Sequence, residues 1–216
     1  MINKSIISCV FVDFDGTLLN SIESLYTSYF QFLGLYHIEG NKDEFNALNG
    51  PSTFEIVEIL RARHGLPHEL KDLYSKYIEI IKRNYSNSEA FSDSEIFLST
   101  LHQQGKKMVL VTSGRAEMCL PLIEKLNWKR YFSDFIWGED VKHSKPAPDI
   151  YLEARHRVGA EKSNIIVIED SLNGIRAARA AGLTVFGLAI DFSDDDLAGA
   201  GATKVFKNLT HVLEEF

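Results

Sequence analysis

Several features that mark special classes of protein are scarce or missing in this sequence. Two cysteines, Cys9 and Cys119, occur in 216 residues; this is too few for a disulfide framework and favours a reducing compartment. No apolar run reaches the roughly 18 residues of a membrane-spanning helix, and the first residues show no apolar leader with a small-residue cleavage pattern. These absences predict a cytoplasmic protein that does not interact with a membrane.

An excess of positive charge is also absent. The chain has 23 Lys and Arg against 30 Asp and Glu, which gives a formal net charge of -7. An acidic chain does not attract nucleic acid or an anionic membrane surface at long range, so neither is expected as a partner. Any anionic substrate would have to be captured locally. The length and the 45% hydrophobic content are sufficient to bury a full core.

Short apolar segments separated by stretches of helical periodicity run through most of the chain. This alternation predicts an α/β fold, in which a parallel sheet is covered by helices on both faces. The predicted strands are residues 5–13, 109–111, 135–137, 165–168 and 184–188, with 204–206 as an edge strand.

The region between Asn20 and Asn87 differs from the rest. Strand signals vanish there, and apolar residues recur at spacings of three and four, which predicts a helical insert with boundaries near residues 17 and 90. Asn20 or Ser21 is expected to cap its first helix, with Glu23 as the capping-box partner.

Two carboxylates follow the first apolar segment, at Asp13 and Asp15, and Gly16 comes next. Side chains alternate along a strand, so both acids can lean to one side at its carboxyl end, the edge where open α/β sheets bind ligands. One could attack a substrate covalently while the other carries a proton, provided that a cation offsets their repulsion. A polar strand end followed by a helix cap is the alternative interpretation.

Polar residues also follow the segment at 109–111. Thr112, Ser113 and Gly114 are placed where hydroxyls and backbone N–H groups can hold phosphate oxygens, although an ordinary helix cap has the same composition.

Two later segments add charge. Lys145 lies in a proline-rich loop and could neutralise negative charge near two carboxylates and a phosphate, or could be a solvated surface residue. Glu169 and Asp170 end the segment at 165–168 and could complete an oxygen-ligand site for a hard cation such as Mg²⁺. Acids favoured by the dipole at a helix N-terminus are the alternative.

The ordered set of four motifs carries more information than any one of them. Asp13-x-Asp15-Gly16-Thr17, Thr112-Ser113, Lys145-Pro146 and Glu169-Asp170 resemble the signature motifs of the haloacid dehalogenase-like hydrolase superfamily. The helical insert is similar to the cap of its subfamily I, which includes phosphatases and phosphoglucomutase-like members. The resemblance implies an α/β, Rossmann-like core formed by residues 1–17 and 90–216, with an inserted α-helical cap at 18–89.

The resemblance also implies a role for each motif residue. Asp13 would be the nucleophile, Asp15 the acid and base, and Lys145 the cation that bridges Asp13 and the phosphoryl group. The expected phosphate ligands are Thr112, Ser113 and Gly114, and the expected Mg²⁺ site comprises Asp13, the main-chain carbonyl of Asp15, Asp170 and, through water, Glu169.

The implied activity is Mg²⁺-dependent hydrolysis of a small phosphorylated metabolite through an aspartyl-phosphate, by a monomer or weak dimer. The alternatives are a β-phosphoglucomutase-like mutase and a catalytically silent phosphate-binding regulatory protein. Gly50 and Ser52 are the expected substrate ligands in the cap; Arg61 and Arg63 could also read the leaving group or simply face solvent. The mutases place arginine where this chain has Thr53, which favours a phosphatase.

Overall fold

A computed structural model describes residues 6–216. Its strands are β1 (Cys9–Val12), β2 (Leu19–Asn20), β3 (Glu89–Ala90), β4 (Lys107–Val111), β5 (Phe132–Ile136), β6 (Ile165–Glu169), β7 (Thr184–Leu188) and β8 (Lys204–Phe206). Its α-helices are α1 (Ile22–Gly34), α2 (Lys42–Ala47), α3 (Thr53–His64), α4 (Leu70–Tyr85), α5 (Ser94–Gln103), α6 (Ala116–Lys125), α7 (Asp149–Val158), α8 (Leu172–Ala180), α9 (Asp194–Ala200) and α10 (Leu209–Leu213).

Six strands form one sheet in the order β5-β4-β1-β6-β7-β8, and every neighbouring pair is parallel. The predicted α/β fold is therefore confirmed. β1 lies between β4 and β6, so chain segments far apart in sequence end side by side at one edge of the sheet. In open parallel sheets that edge is where ligands bind.

Alternate residues of β1 enter two separate hydrophobic clusters, one on each face of the sheet. Val10 and Val12 pack in the cluster that includes residues of α5, α6 and α10. Cys9 and Phe11 pack in the cluster that includes residues of α7, α8 and α9. All four residues are buried, and burial of each large apolar side chain contributes about 1.5–3 kcal/mol. This double burial explains the continuous apolar run before Asp13.

Two predicted strands have different limits in the structure. The strand predicted at 135–137 is β5, which begins at Phe132 and ends before Trp137. β5 is an edge strand, so Ser133 and Asp134 interrupt its apolar pattern without burying unpaired polar groups. The strand predicted at 5–13 is observed only from Cys9 to Val12, and residue 5 lies outside the described residues.

Helices α1 to α4 lie between β2 and β3, which pair antiparallel as a separate two-stranded ribbon. This ribbon was not predicted, because two-residue strands carry no periodicity. It joins the helical insert to the segments that lead to and from the sheet. The division into a core at 1–17 and 90–216 and a cap at 18–89 stays a prediction.

The capping box predicted at the start of the insert is wrong. Asn20 lies in β2, and Ser21, the N-cap residue of α1, makes no capping hydrogen bond with its side chain. The Ser21 hydroxyl instead donates to the Asp15 carboxylate over 2.6 Å. A tertiary hydrogen bond to a charged group has replaced the local one. Within residues 6–216, no helix is both long and apolar enough to cross a membrane.

Candidate active site

The carboxyl ends of β1, β4 and β6 bring three of the four motifs together. Val12 pairs with Leu110 on one side and with Ile168 on the other, so the residues that follow these strands are neighbours. The Asp13 amide also donates to the Ile168 carbonyl over 3.0 Å, which holds the end of β1 against β6. The register of the sheet thus places the acids of the first and fourth motifs at one site.

Lys145 forms a buried ion-pair network with two acids. Its Nζ lies 2.6 Å from Asp13 Oδ1 and 2.5 Å from Glu169 Oε1, and the lysine side chain is 2% exposed. Burial by itself would lower the pKa of Lys145, but the two carboxylates outweigh it and raise the pKa, so the ammonium stays charged. The interpretation of Lys145 as a solvated surface residue is wrong.

Glu169 is held by four hydrogen bonds. Its Oε1 accepts from Lys145 and from the Tyr151 hydroxyl, the latter over 2.8 Å, and its Oε2 accepts from the amide and hydroxyl of Ser171. Gly174 permits this arrangement, because a Cβ there would lie 1.8 Å from Glu169 Oε1. In this geometry Glu169 orients Lys145. The expected influence of Glu169 on a bound metal stays a prediction.

Asp170 completes a buried acidic cluster. Carboxylate oxygens of Asp13, Glu169 and Asp170 all lie within 4.8 Å of one another. Thr17 donates to Asp170 Oδ1 over 2.8 Å, whereas Oδ2 is buried without a hydrogen-bond partner among the described residues. Gly16, at φ +82°, leaves room for that oxygen, since a Cβ there would lie 2.3 Å from it.

The acidic cluster fits a divalent cation. Burial raises the pKa of Asp13, and Lys145 opposes this rise; burial also raises the pKa of Asp170, with Glu169 and Asp13 adding to it. Three buried carboxylates beside one ammonium leave negative charge that a cation would balance. The unpartnered Asp170 oxygen and the carboxylate of Asp13 are the ligand type that hard cations prefer.

Asp15 lies at the cavity between the sheet edge and the insert. Its Oδ1 accepts hydrogen bonds from Ser21 and from the Tyr85 hydroxyl, each over 2.6 Å. Burial raises the pKa of Asp15, and these two hydrogen bonds oppose the rise. A carboxyl with a raised pKa is suited to exchange a proton with a substrate.

The second motif lines the same cavity. Thr112 Oγ1 accepts from the Gly114 amide over 3.0 Å, and the Ser113 hydroxyl donates to the Gly50 carbonyl over 2.6 Å. Asn173, on α8, donates in the same way to the Asn49 carbonyl over 2.6 Å. The loop between α2 and α3 is thus bonded to the core beside the site.

Three insert residues that were candidates for binding substrate do not line the cavity. The Ser52 hydroxyl forms a capping box with Glu55 at the start of α3. Arg61 donates to the His68 carbonyl, and Arg63 pairs with Glu44 over 2.8 Å. Gly50 does line the cavity, together with Pro51 and Thr53.

Comparison with known proteins defines the family. The family model described as haloacid dehalogenase-like hydrolase matches residues 10–188, which is most of the chain. The chain belongs to the haloacid dehalogenase-like hydrolase family. The four motifs and the sheet topology of this haloacid dehalogenase-like chain agree with that membership.

Two curated relatives and one solved structure are similar to this haloacid dehalogenase-like chain. It is 27% identical to the bifunctional riboflavin kinase/FMN phosphatase of Arabidopsis thaliana over 84% of the chain, and spans about half (48%) of that longer relative. It is 26% identical to the phosphorylated carbohydrates phosphatase of Thermotoga maritima, over 95% of the chain and 98% of the relative. A crystal structure of a candidate beta-phosphoglucomutase from Thermotoga maritima matches with 26% identity and a TM-score of 0.75, over 97% and 99% of the two chains.

Sequence reasoning missed four residues of this haloacid dehalogenase-like site. Tyr85 and Ser21 hold Asp15, Tyr151 holds Glu169, and Asn173 holds the loop after α2. Tyr85 and Tyr151 carry no local signal, because a tyrosine at helical spacing is an ordinary core residue.

Proposed function

We propose that the chain is a Mg²⁺-dependent phosphatase that hydrolyses a small phosphomonoester through a phosphorylated Asp13. The observation that carries this proposal is the buried constellation of Asp13, Lys145 and Asp170, in which a carboxylate at the cavity lies beside a fixed ammonium and a second carboxylate with one unpartnered oxygen. The two curated relatives, both named phosphatases, support the same reaction class.

Asp13 would attack the phosphorus atom. Lys145 donates to its Oδ1, so Oδ2 is the oxygen available to form the new bond. The bond from phosphorus to the leaving oxygen breaks as that bond forms, and Asp15 gives its proton to the departing alkoxide. Asp15 then takes a proton from water, whose oxygen attacks phosphorus and releases phosphate and the Asp13 carboxylate.

Charge neutralisation supports this sequence of steps, because phosphoryl transfer depends mainly on positioning and electrostatic stabilisation. Lys145 supplies one fixed positive charge, and the motif at Thr112 and Ser113 lines the cavity beside it. Asp13, Asp170 and the Asp15 carbonyl would hold the cation, which when bound would neutralise further charge on the phosphoryl group.

Release of inorganic phosphate from p-nitrophenyl phosphate tests the proposal. The wild-type chain is expected to release phosphate with Mg²⁺ and to stop when the metal is chelated, and Asp13→Asn is expected to abolish the activity. Asp72→Asn, which changes an exposed acid on α4, is the matched control and should retain it.

Two outcomes would favour the alternatives. Interconversion of hexose phosphates with little free phosphate would establish a mutase, an alternative that the similarity to the candidate beta-phosphoglucomutase keeps relevant. No turnover of any phosphoester with any divalent metal would favour a phosphate-binding regulatory protein.

A further inference from the structure

The cavity above Asp13 has two chemically different walls and a volume of about 110 Å³. The core wall consists of Asp13, Asp15, Thr112, Ser113, Gly114, Met118, Cys119, Lys145 and Ser171. The insert wall consists of Ile22, Leu25, Phe45, Leu48, Asn49, Gly50, Pro51, Thr53, Ile56, Tyr77, Ile81 and Tyr85. A substrate whose phosphoryl group lies against the core wall would therefore place its leaving group against the insert wall.

The insert wall carries no charged side chain among the residues that the structure describes. Ile22 and Leu25 lie three residues apart on α1, and Tyr77, Ile81 and Tyr85 lie at successive spacings of four on α4. Residues at these spacings share one helix face. Both helices thus present an apolar face to the cavity.

Cationic side chains on and beside the two walls are paired with other groups. Arg115, which follows Gly114 of the core wall, pairs with Glu117 and Glu139. Within residues 6–216, Lys145 is the one basic residue that lines the cavity, and it is paired with Asp13 and Glu169. The Arg61 guanidinium donates to the His68 carbonyl, and Arg63 pairs with Glu44. A carboxylate or second phosphate on the leaving group would therefore lose its water against an apolar surface and gain no countercharge, which is strongly unfavourable.

A few neutral groups can still recognise a polar atom. The Tyr77 side chain is buried, and its hydroxyl has no hydrogen-bond partner among the described residues. Thr53 lies at the first position of α3 and also lines the cavity. Together with the carboxamide of Asn49 on the same wall, these two hydroxyls can serve a few oxygen atoms, but they supply no positive charge.

We propose that the substrates are phosphomonoesters of small, uncharged and mainly apolar alcohols, such as short branched alkyl alcohols. This inference rests on the proposed phosphatase activity and adds the class of leaving group to it. The small size follows from the cavity volume of about 110 Å³, because the same cavity also has to hold the phosphoryl group. The absence of charge follows from the insert wall.

Three primary alkyl phosphates of similar size test this specificity: isobutyl phosphate, glycerol 1-phosphate and 2-phosphoglycolate. We expect kcat/KM to fall in that order, with isobutyl phosphate at least ~10-fold above 2-phosphoglycolate. A value for 2-phosphoglycolate equal to or above that for isobutyl phosphate would overturn the inference. Phosphate release from p-nitrophenyl phosphate, measured in parallel, reports on the proposed function separately.

The two failures are distinguishable. If p-nitrophenyl phosphate and 2-phosphoglycolate are hydrolysed and isobutyl phosphate is not, the phosphatase proposal stands and the specificity is wrong. If no ester is hydrolysed with Mg²⁺, both proposals fail.

A charge placed on the insert wall provides a second test. Leu25→Arg should shift the ratio of kcat/KM values ~10-fold towards 2-phosphoglycolate. Leu35→Arg is the matched control, because Leu35 follows the same helix, is 56% exposed and does not line the cavity; its ratio should equal that of the wild type. An unchanged ratio in a folded Leu25→Arg protein would contradict the role of the insert wall.

Discussion

The two walls of the cavity differ in how their residues are held. On the core wall, Asp13 and Lys145 are buried at strand ends and in the loop before α7, where ion pairs and hydrogen bonds fix their positions. The insert wall is built from one face each of α1 and α4 together with residues of α2, α3 and the loop between them, and most of its side chains make only apolar contacts. Rigid strand ends suit chemistry that needs defined distances. Side chains on an apolar helix face, in contrast, can be substituted without disturbing that chemistry.

Asp15→Asn tests proton transfer on the core wall. Asparagine keeps an oxygen that can accept from Ser21 and Tyr85, but it cannot exchange the proton. We expect kcat/KM for an alkyl phosphate to fall ~10² to 10⁴-fold. The loss should be smaller for p-nitrophenyl phosphate, whose leaving group needs less protonation; equal losses for both esters would contradict the role of Asp15 as acid.

Lys145→Met tests the charge balance of the core wall. The substitution leaves Asp13 and Glu169 buried without their common cation, so we expect about 3–5 kcal/mol of destabilisation in urea unfolding. Activity should fall ~10²-fold or more. Lys145→Met combined with Glu169→Gln should recover part of the stability and none of the activity. Lys204→Met, at an exposed ion pair, is the control and should change stability by less than about 1 kcal/mol.

Glu44 tests whether the insert has an electrostatic anchor of its own away from the cavity. Burial would raise the pKa of this glutamate, but hydrogen bonds from Tyr29, Arg63 and His64 outweigh it and lower the pKa below the ordinary 4.5. The ionised Glu44 carboxylate therefore contributes its full stabilisation of the fold above pH 4.5. This contribution is lost as the pH falls through the lowered pKa of Glu44.

Glu44→Gln is expected to lower the free energy of unfolding by about 2 kcal/mol at pH 7, because charge-assisted hydrogen bonds are lost. The difference in melting temperature between this variant and the wild type should shrink progressively below pH 4.5. A difference that is constant from pH 7 to pH 3 would show that the ionised carboxylate contributes nothing.

Tyr85→Phe tests the side-chain hydrogen bond that joins α4 to Asp15. Loss of one of the two donors to Asp15 Oδ1 should raise the activation free energy by about 1 kcal/mol, which lowers kcat/KM about fivefold. Tyr26→Phe removes a hydroxyl from an insert tyrosine that does not line the cavity, and its activity should match the wild type. Equal activities in the two variants would show that Ser21 alone suffices to position Asp15.

The sheet and the motif residues of the core wall could be predicted from the sequence alone. An apolar run buried on both faces has to be a central strand, and acids at the end of such a run have to lie at the sheet edge. The four motifs in their order resemble those of the family, and that resemblance implied one site for Asp13, Lys145 and Asp170, which the structure brings together.

The partners of these residues and the character of the insert wall depend on how distant elements pack together. Tyr85 reaches Asp15 across 70 positions in sequence, and Ser52, Arg61 and Arg63 are bonded within the insert. Spacing along a chain specifies which face a side chain occupies, but hydrogen bonds between distant elements depend on how those elements pack. The apolar insert wall likewise arises where separate helices meet, so no single stretch of sequence encodes it.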